Sequence, residues 1–115
     1  MVRDPRSHVP LPPAQFHVLV ALSDGPRHGY AIMQAVEAAS DGLVQMGPAT
    51  VYSTLQRLTA QGLAEECAGP SDTDDDNRRR YYQLTGLGRA VCVAEADRLA
   101  TLVRAARANL RPGLA

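Results

Sequence analysis

This sequence predicts a mainly α-helical domain with one small β-hairpin and a long closing helix. Three observations predict it. Residues 47–62 read as a helix marked at both ends, with Gly47-Pro48 at its start and Gly62 just past its end. After Gly62 the hydrophobic period changes from 3.6 residues to 2. From Thr85 to about Leu110 a helical apolar stripe then runs on for some two dozen residues. A chain of 115 residues is one domain by length. It buries about two-thirds of its unfolded surface, enough for one modest core.

Residues 1–12 carry Pro5, Pro10 and Pro12, followed at once by Pro13, which predicts an extended, flexible N-terminal arm. Arg3 and Arg6 are placed to touch a phosphate there, or belong to a tail that touches nothing. The first helix is expected from about Pro13 to Ser23, with Phe16, Leu19, Val20 and Leu22 on its buried side. Asp24-Gly25-Pro26 is a turn signal. The second helix starts near His28-Gly29-Tyr30 and runs through Ile32, Met33, Val36 and Ala39 to the stop at Asp41-Gly42. Leu43–Met46 is short and apolar and reads as a brief strand leading into Gly47.

In the third helix Val51, Leu55 and Leu58 recur at i, i+4, i+7. The opposite face carries Thr50, Ser53 and Arg57, flanked by Tyr52 and Gln56. None of these is acidic and all donate hydrogen bonds. Such a face suits the major groove of DNA, where phosphates and base edges offer mostly acceptors. An ordinary amphipathic helix with a polar solvent face has the same periodicity, so the helix alone does not decide.

Leu63–Ala68 and Arg79–Leu84 have strand character, the second rich in aromatics. Residues 69–77 between them form a loop, so the pair is a hairpin with a long tip. Helices followed by such a hairpin make a winged helix-turn-helix domain, expected over residues 13–84. Arg78, Arg79 and Arg80 sit where a wing strand begins, in reach of flanking phosphates, or else neutralise Asp72, Asp74, Asp75 and Asp76. Those aspartates do not make a calcium loop, because Asn77 and Gln83 stand where glycine and a bidentate glutamate are needed.

Thr85 is a plausible N-cap for the last helix, residues 85–111. Some two dozen residues span about 36 Å, more than the domain covers. Leu87 and Val91 can pack on the core. Val91 also opens the candidate dimerisation surface, which continues through Leu99, Leu102, Val103, Ala106 and Leu110, while Glu95, Asp97, Arg98, Arg104 and Arg107 lie on other faces. A bare apolar stripe implies a partner, a second copy related by a two-fold axis, unless the helix folds back on its own domain.

Formal net charge is zero, which counts against strong non-specific nucleic-acid binding but not against a local basic patch. Twelve residues are basic and all are arginine. Cys67 and Cys92 form no ligand pair, and His8, His17 and His28 have no carboxylate cluster in ligand spacing, so no metal, cofactor or catalytic centre is expected. No apolar run is long enough for a membrane span and the N-terminus lacks a signal peptide's apolar core, so a cytoplasmic protein with reduced thiols is expected.

The sequence resembles the PadR family of winged-helix transcriptional regulators. The resemblance is carried by Leu19–Leu22 with Gly25-Pro26 and His28-Gly29-Tyr30-Ala31-Ile32; by Gly47-Pro48-Ala49-Thr50-Val51-Tyr52 with Leu55, Arg57-Leu58 and Gly62-Leu63; and by Arg79–Thr85 with Leu87-Gly88. It covers residues 11 to about 110, and the final helix is similar to that of the family's compact branch. The resemblance implies a homodimeric repressor on a near-palindromic double-stranded operator, released in some members by phenolic acids or hydrophobic drugs. It implies that Thr50, Tyr52 and Ser53 face DNA, with Tyr30 at the start of the second helix touching the backbone or packing. The candidate DNA-contacting set is Tyr30, Pro48, Ala49, Thr50, Tyr52, Ser53, Gln56, Arg57, Arg78, Arg79 and Arg80. Val51 stands where leucine is usual. The chain has no tryptophan, the residue on which aromatic ligands stack in multidrug-binding members. A winged-helix interaction module that does not bind DNA is the rival reading, and zero net charge is its support.

Overall fold

The computed structural model describes residues 4–69 and 80–112. Its helices are α1 (Pro13–Ala21), α2 (Gly29–Ala39), α3 (Pro48–Ala60) and α4 (Gly86–Asn109); its strands are β1 (Arg27–His28), β2 (Ala64–Cys67) and β3 (Tyr81–Leu84). The helix starts are set locally. Pro13 and Pro48 occupy first turns, where a missing N–H costs nothing. His28 caps α2 by accepting the Ala31 N–H on Nδ1 at 3.2 Å, and Thr85 caps α4 by accepting the Gly88 N–H on Oγ1 at 2.9 Å. Gly62 takes a left-handed φ of 75° just beyond α3.

The apolar faces of the first three helices converge. Val18, Leu19 and Leu22 meet Ile32 and Val36 from α2 and Val51, Leu55 and Leu58 from α3, with Leu63 and Val91 closing the core. Burying each such side chain contributes about 1.5–3 kcal/mol. β2 and β3 pair antiparallel, Glu65 opposite Gln83 and Glu66 opposite Tyr82. The sheet has a third strand that the sequence pattern did not reveal. Arg27 and His28 pair antiparallel with Tyr82 and Tyr81, so the order is β1-β3-β2. A two-residue strand shows no period, and its ladder partner lies more than fifty residues away. The brief strand expected over Leu43–Met46 does not form. Ser40 Oγ instead accepts the Val44 N–H at 3.0 Å, and Met46 turns into the core.

The N-terminal expectation is corrected over residues 4–12. Pro5–His8 forms a 3-10 turn that packs on α4, and Leu11 is buried. The cause is Glu95, whose charge suggests an outer face although it stands four residues from both Val91 and Leu99, on their side of the helix. Glu95 is only 2% exposed; its Oε2 accepts the Leu11 N–H at 3.1 Å, and its carboxylate takes two hydrogen bonds from Arg98 at 2.7 and 3.0 Å. A buried carboxylate held by a backbone N–H and a guanidinium fork satisfies both partners. The Arg98 hydrogen bond, opposed by desolvation and helped by the Leu11 N–H, holds the Glu95 carboxyl below its ordinary value.

The start of α4 is locked to the end of α3. Thr85 Oγ1 donates to the Gly62 carbonyl at 2.6 Å and the Thr85 N–H to the Leu63 carbonyl at 3.2 Å. Gly88 lies so close to this turn that a β-carbon would sit 1.8 Å from the Leu63 carbonyl oxygen. Beyond Glu95 no residue of α4 is buried, and the molecule extends 61 Å along its longest axis.

Candidate nucleic-acid interface

α3 turns Val51, Leu55 and Leu58 inward and leaves Pro48, Ala49, Thr50, Tyr52, Ser53, Gln56 and Arg57 exposed. The hydroxyls of Ser53 and Thr54 both donate to the Thr50 carbonyl, at 3.1 and 2.7 Å. Thr54 is buried, whereas Ser53 faces solvent with its acceptor positions open. Arg57 has no hydrogen-bond or ion-pair partner among the described residues. An uncommitted guanidinium beside two exposed hydroxyls and an amide is a surface of donors with no acid within it.

Tyr30 is 62% exposed and Tyr52 46% exposed, and they share an open cleft of about 530 Å³. Its walls come from the start of α2, one side of α3 and β3: His28, Gly29, Tyr30, Tyr52, Gln56, Arg80 and Tyr82. Tyr52 and Gln56 lie one turn apart on α3 and so point to the same side. Arg80 stands at the base of the wing, with Nε 3.7 Å from Glu66 Oε1, both side chains well exposed. Such a pair is worth at most about 1 kcal/mol and yields readily to a phosphate. Beside Arg80, desolvation by burial and then the Glu66 carboxylate, opposed by the Arg80 charge, push the Tyr82 phenol above its ordinary value. Arg78, Arg79 and the aspartates of the wing tip lie outside the described residues.

The fold therefore gathers Tyr30, Tyr52, Gln56 and Arg80 around one cleft, with the rest of the α3 set beside it. It adds His28, Gly29 and Tyr82, which sequence reasoning did not assign to the site. The signal for His28 and Gly29 was visible as a helix start. Tyr82 was visible only as a strand residue, and pairing of β1 with β3 is what brings the two together.

The candidate dimerisation set divides. Val91 is fully buried in its own protomer's core and is corrected to a core residue. Leu102 is 58% and Leu110 78% exposed; Val103 and Ala106 are exposed as well, and Leu99 is half-buried. Val93 is exposed too, but on another side of α4, beside Ala90, Asp97 and Thr101. Cys67 and Cys92 are free thiols pushed up by burial. Among the described residues no cluster of three metal-ligating side chains occurs, and no helix is long and apolar enough to cross a membrane.

Comparison with known proteins bears on this geometry directly. The model of the Transcriptional regulator PadR-like family matches residues 18–94, from within α1 into the first half of α4. An uncharacterized 37.1 kDa protein in a transposon of Streptomyces fradiae is 39% identical over 89 residues, covering 77% of this chain; the chain spans only 24% of that protein's length. Among solved structures, a PadR family transcription regulator from Clostridium difficile superposes with a TM-score of 0.70 at 18% identity, over 84% of this chain and 97% of that one. A transcriptional regulator from Clostridium thermocellum gives a TM-score of 0.69 at 19% identity, over 96% and 100% of the two chains. At these identities the structures establish the shared winged-helix architecture, and the family match does the rest: this chain belongs to the PadR-like family of transcriptional regulators.

Proposed function

We propose that the protein is a sequence-specific DNA-binding repressor that acts as a homodimer on a near-palindromic operator. The observation that carries this is the outer face of α3, where Thr50, Tyr52, Ser53, Gln56 and Arg57 are exposed, rich in donors and free of acid. Pro48–Gln61 of each protomer enters one of two successive major grooves, about 34 Å apart. Each well-made base contact discriminates by about 1–3 kcal/mol. Arg80 supports the flank of each half-site from the wing, with Arg78 and Arg79 expected to join it. The second copy docks on the uncovered α4 stripe of Leu99, Leu102, Val103, Ala106 and Leu110. A hydrophobic or phenolic effector that sits between the two long helices shifts their spacing and releases DNA; with no tryptophan in the chain, it does so without indole stacking. The role places the protein in the cytoplasm, and it requires no enzymatic activity.

Binding to a labelled duplex from the protein's own upstream region tests the reading. Arg57→Ala should weaken binding and reduce the magnitude of the log K against log salt slope by about 0.9 for each phosphate it no longer neutralises. Unchanged affinity across salt concentrations would remove α3 from the interface. Zero net charge favours a second reading, a winged-helix module that binds protein instead of DNA; no shift of any upstream duplex would select it.

A further inference from the structure

We propose that the cleft between α2, α3 and the wing is a seat for one DNA phosphodiester, built mainly from neutral tyrosine hydroxyls and set in shape by Gly29. The proposal rests on the DNA-binding reading above and names what this part of the surface holds. Four observations on separate elements converge. The Tyr30 and Tyr52 side chains are exposed at the cleft and lie on the same side of the molecule as the α3 donors. Gln56 and Arg80 add an amide and a guanidinium from the α3 and wing sides, and none of the lining residues is acidic. The eleven-residue α2 begins here, so the positive end of its dipole opens on the same space. The cleft is open to solvent and not closed over, so a strand can be laid across it.

Gly29 decides where the Tyr52 hydroxyl stands. A β-carbon at position 29 would lie 2.6 Å from Tyr52 Oη and 2.8 Å from Cζ, so the phenol rests directly on the glycine α-carbon. Gly29 is the first residue of α2 and its φ is not positive, so alanine there suits the helix better than glycine does. What alanine cannot do is leave the Tyr52 ring where it is. Gly29 is thus a positioning residue for phosphate contact, acting through Tyr52. Tyrosine hydroxyls donate to phosphate oxygens without releasing counterions, which reconciles a strand contact with a chain of zero net charge.

The test uses the full chain and a duplex that the protein itself enriches from a random pool. Enrichment of no duplex overturns the DNA-binding reading, and this seat with it. With a duplex in hand, Tyr52→Phe should lower affinity about tenfold or more at an unchanged salt slope, because the donor it removes is uncharged. Arg80→Ala should lower affinity and also flatten the slope by about 0.9. Gly29→Ala should weaken binding as Tyr52→Ala does, with a melting temperature at or above that of the parent, and should add nothing in a Tyr52→Ala background. One neutral methylphosphonate per half-site, scanned along each strand, should erase the difference between Tyr52→Phe and the parent at a single position. If Arg57→Ala weakens binding while Tyr52→Phe and Gly29→Ala bind as the parent does, α3 reads DNA and the cleft holds no phosphate. If no methylphosphonate position erases the Tyr52→Phe effect, or if benzoate protects the cleft tyrosines from iodination and the duplex does not, the seat is likewise overturned.

Discussion

The two halves of α4 share one helix and opposite fates. From Gly86 to Glu95 the helix is part of the domain: Gly88 touches the Leu63 backbone, Val91 is in the core, and Glu95 ties down the N-terminal segment through Leu11. From Ala96 to Asn109 nothing is buried, though Leu99, Leu102, Val103 and Ala106 continue at helical spacing. The apolar pattern alone does not distinguish the halves. What distinguishes them is reach, since the elements that pack on α4, namely α1, β3 and the N-terminal turn, leave no residue beyond Glu95 buried. An apolar stripe is a request for a neighbour; the fold decides whether the neighbour is internal.

The sharpest way to break this contrast is to place the same charge in each half. Val91→Asp buries an unpaired carboxylate and should cost about 4 kcal/mol or more, leaving no cooperative thermal transition. Gly88→Ala should cost about 3 kcal/mol or more, because its β-carbon meets backbone that cannot move aside; urea denaturation measures it. Glu95→Gln should cost about 1–3 kcal/mol by weakening the Arg98 fork and the hold on Leu11, with faster hydrogen exchange at the Leu11 amide as its local signature. The pH dependence of that loss has a definite sign. The Glu95 carboxyl titrates below its ordinary value of 4.5 when folded, so the folded state binds fewer protons. The stabilisation is complete above about 4.5 and fades as pH falls through the folded value, so the gap between parent and Glu95→Gln should narrow in acid. Leu102→Asp, in the outer half, should change protomer stability by no more than about 0.5 kcal/mol. It should instead halve the mass in sedimentation; a parent that already sediments as a monomer would remove the second copy from the proposal.

The faces of α3 and α4 teach a related lesson about legibility. On α3, Gly47-Pro48 and Gly62 bracket the helix and Val51, Leu55 and Leu58 choose its inner side, so exposure of Thr50, Ser53 and Arg57 follows from local rules. On α4 the charge of Glu95 misleads, since its spacing from Val91 and Leu99 already puts it on their side of the helix. A lone glutamate on a helix is read as solvated, and it is the Leu11 amide 84 residues away, with the Arg98 fork beside it, that lets it be buried. β1 was missed for the same kind of reason, since two residues become a strand only because Tyr81 and Tyr82 arrive beside them.

Helix ends, the inner side of α3 and the hairpin were written in the chain itself, because capping, periodicity and turn chemistry act within a few residues of one another. The burial of Val91 and Glu95, the docking of residues 4–12, the third strand and the cleft around Tyr52 were settled only in three dimensions. Each depends on a contact between segments far apart in sequence, whose distance and angle no local pattern encodes.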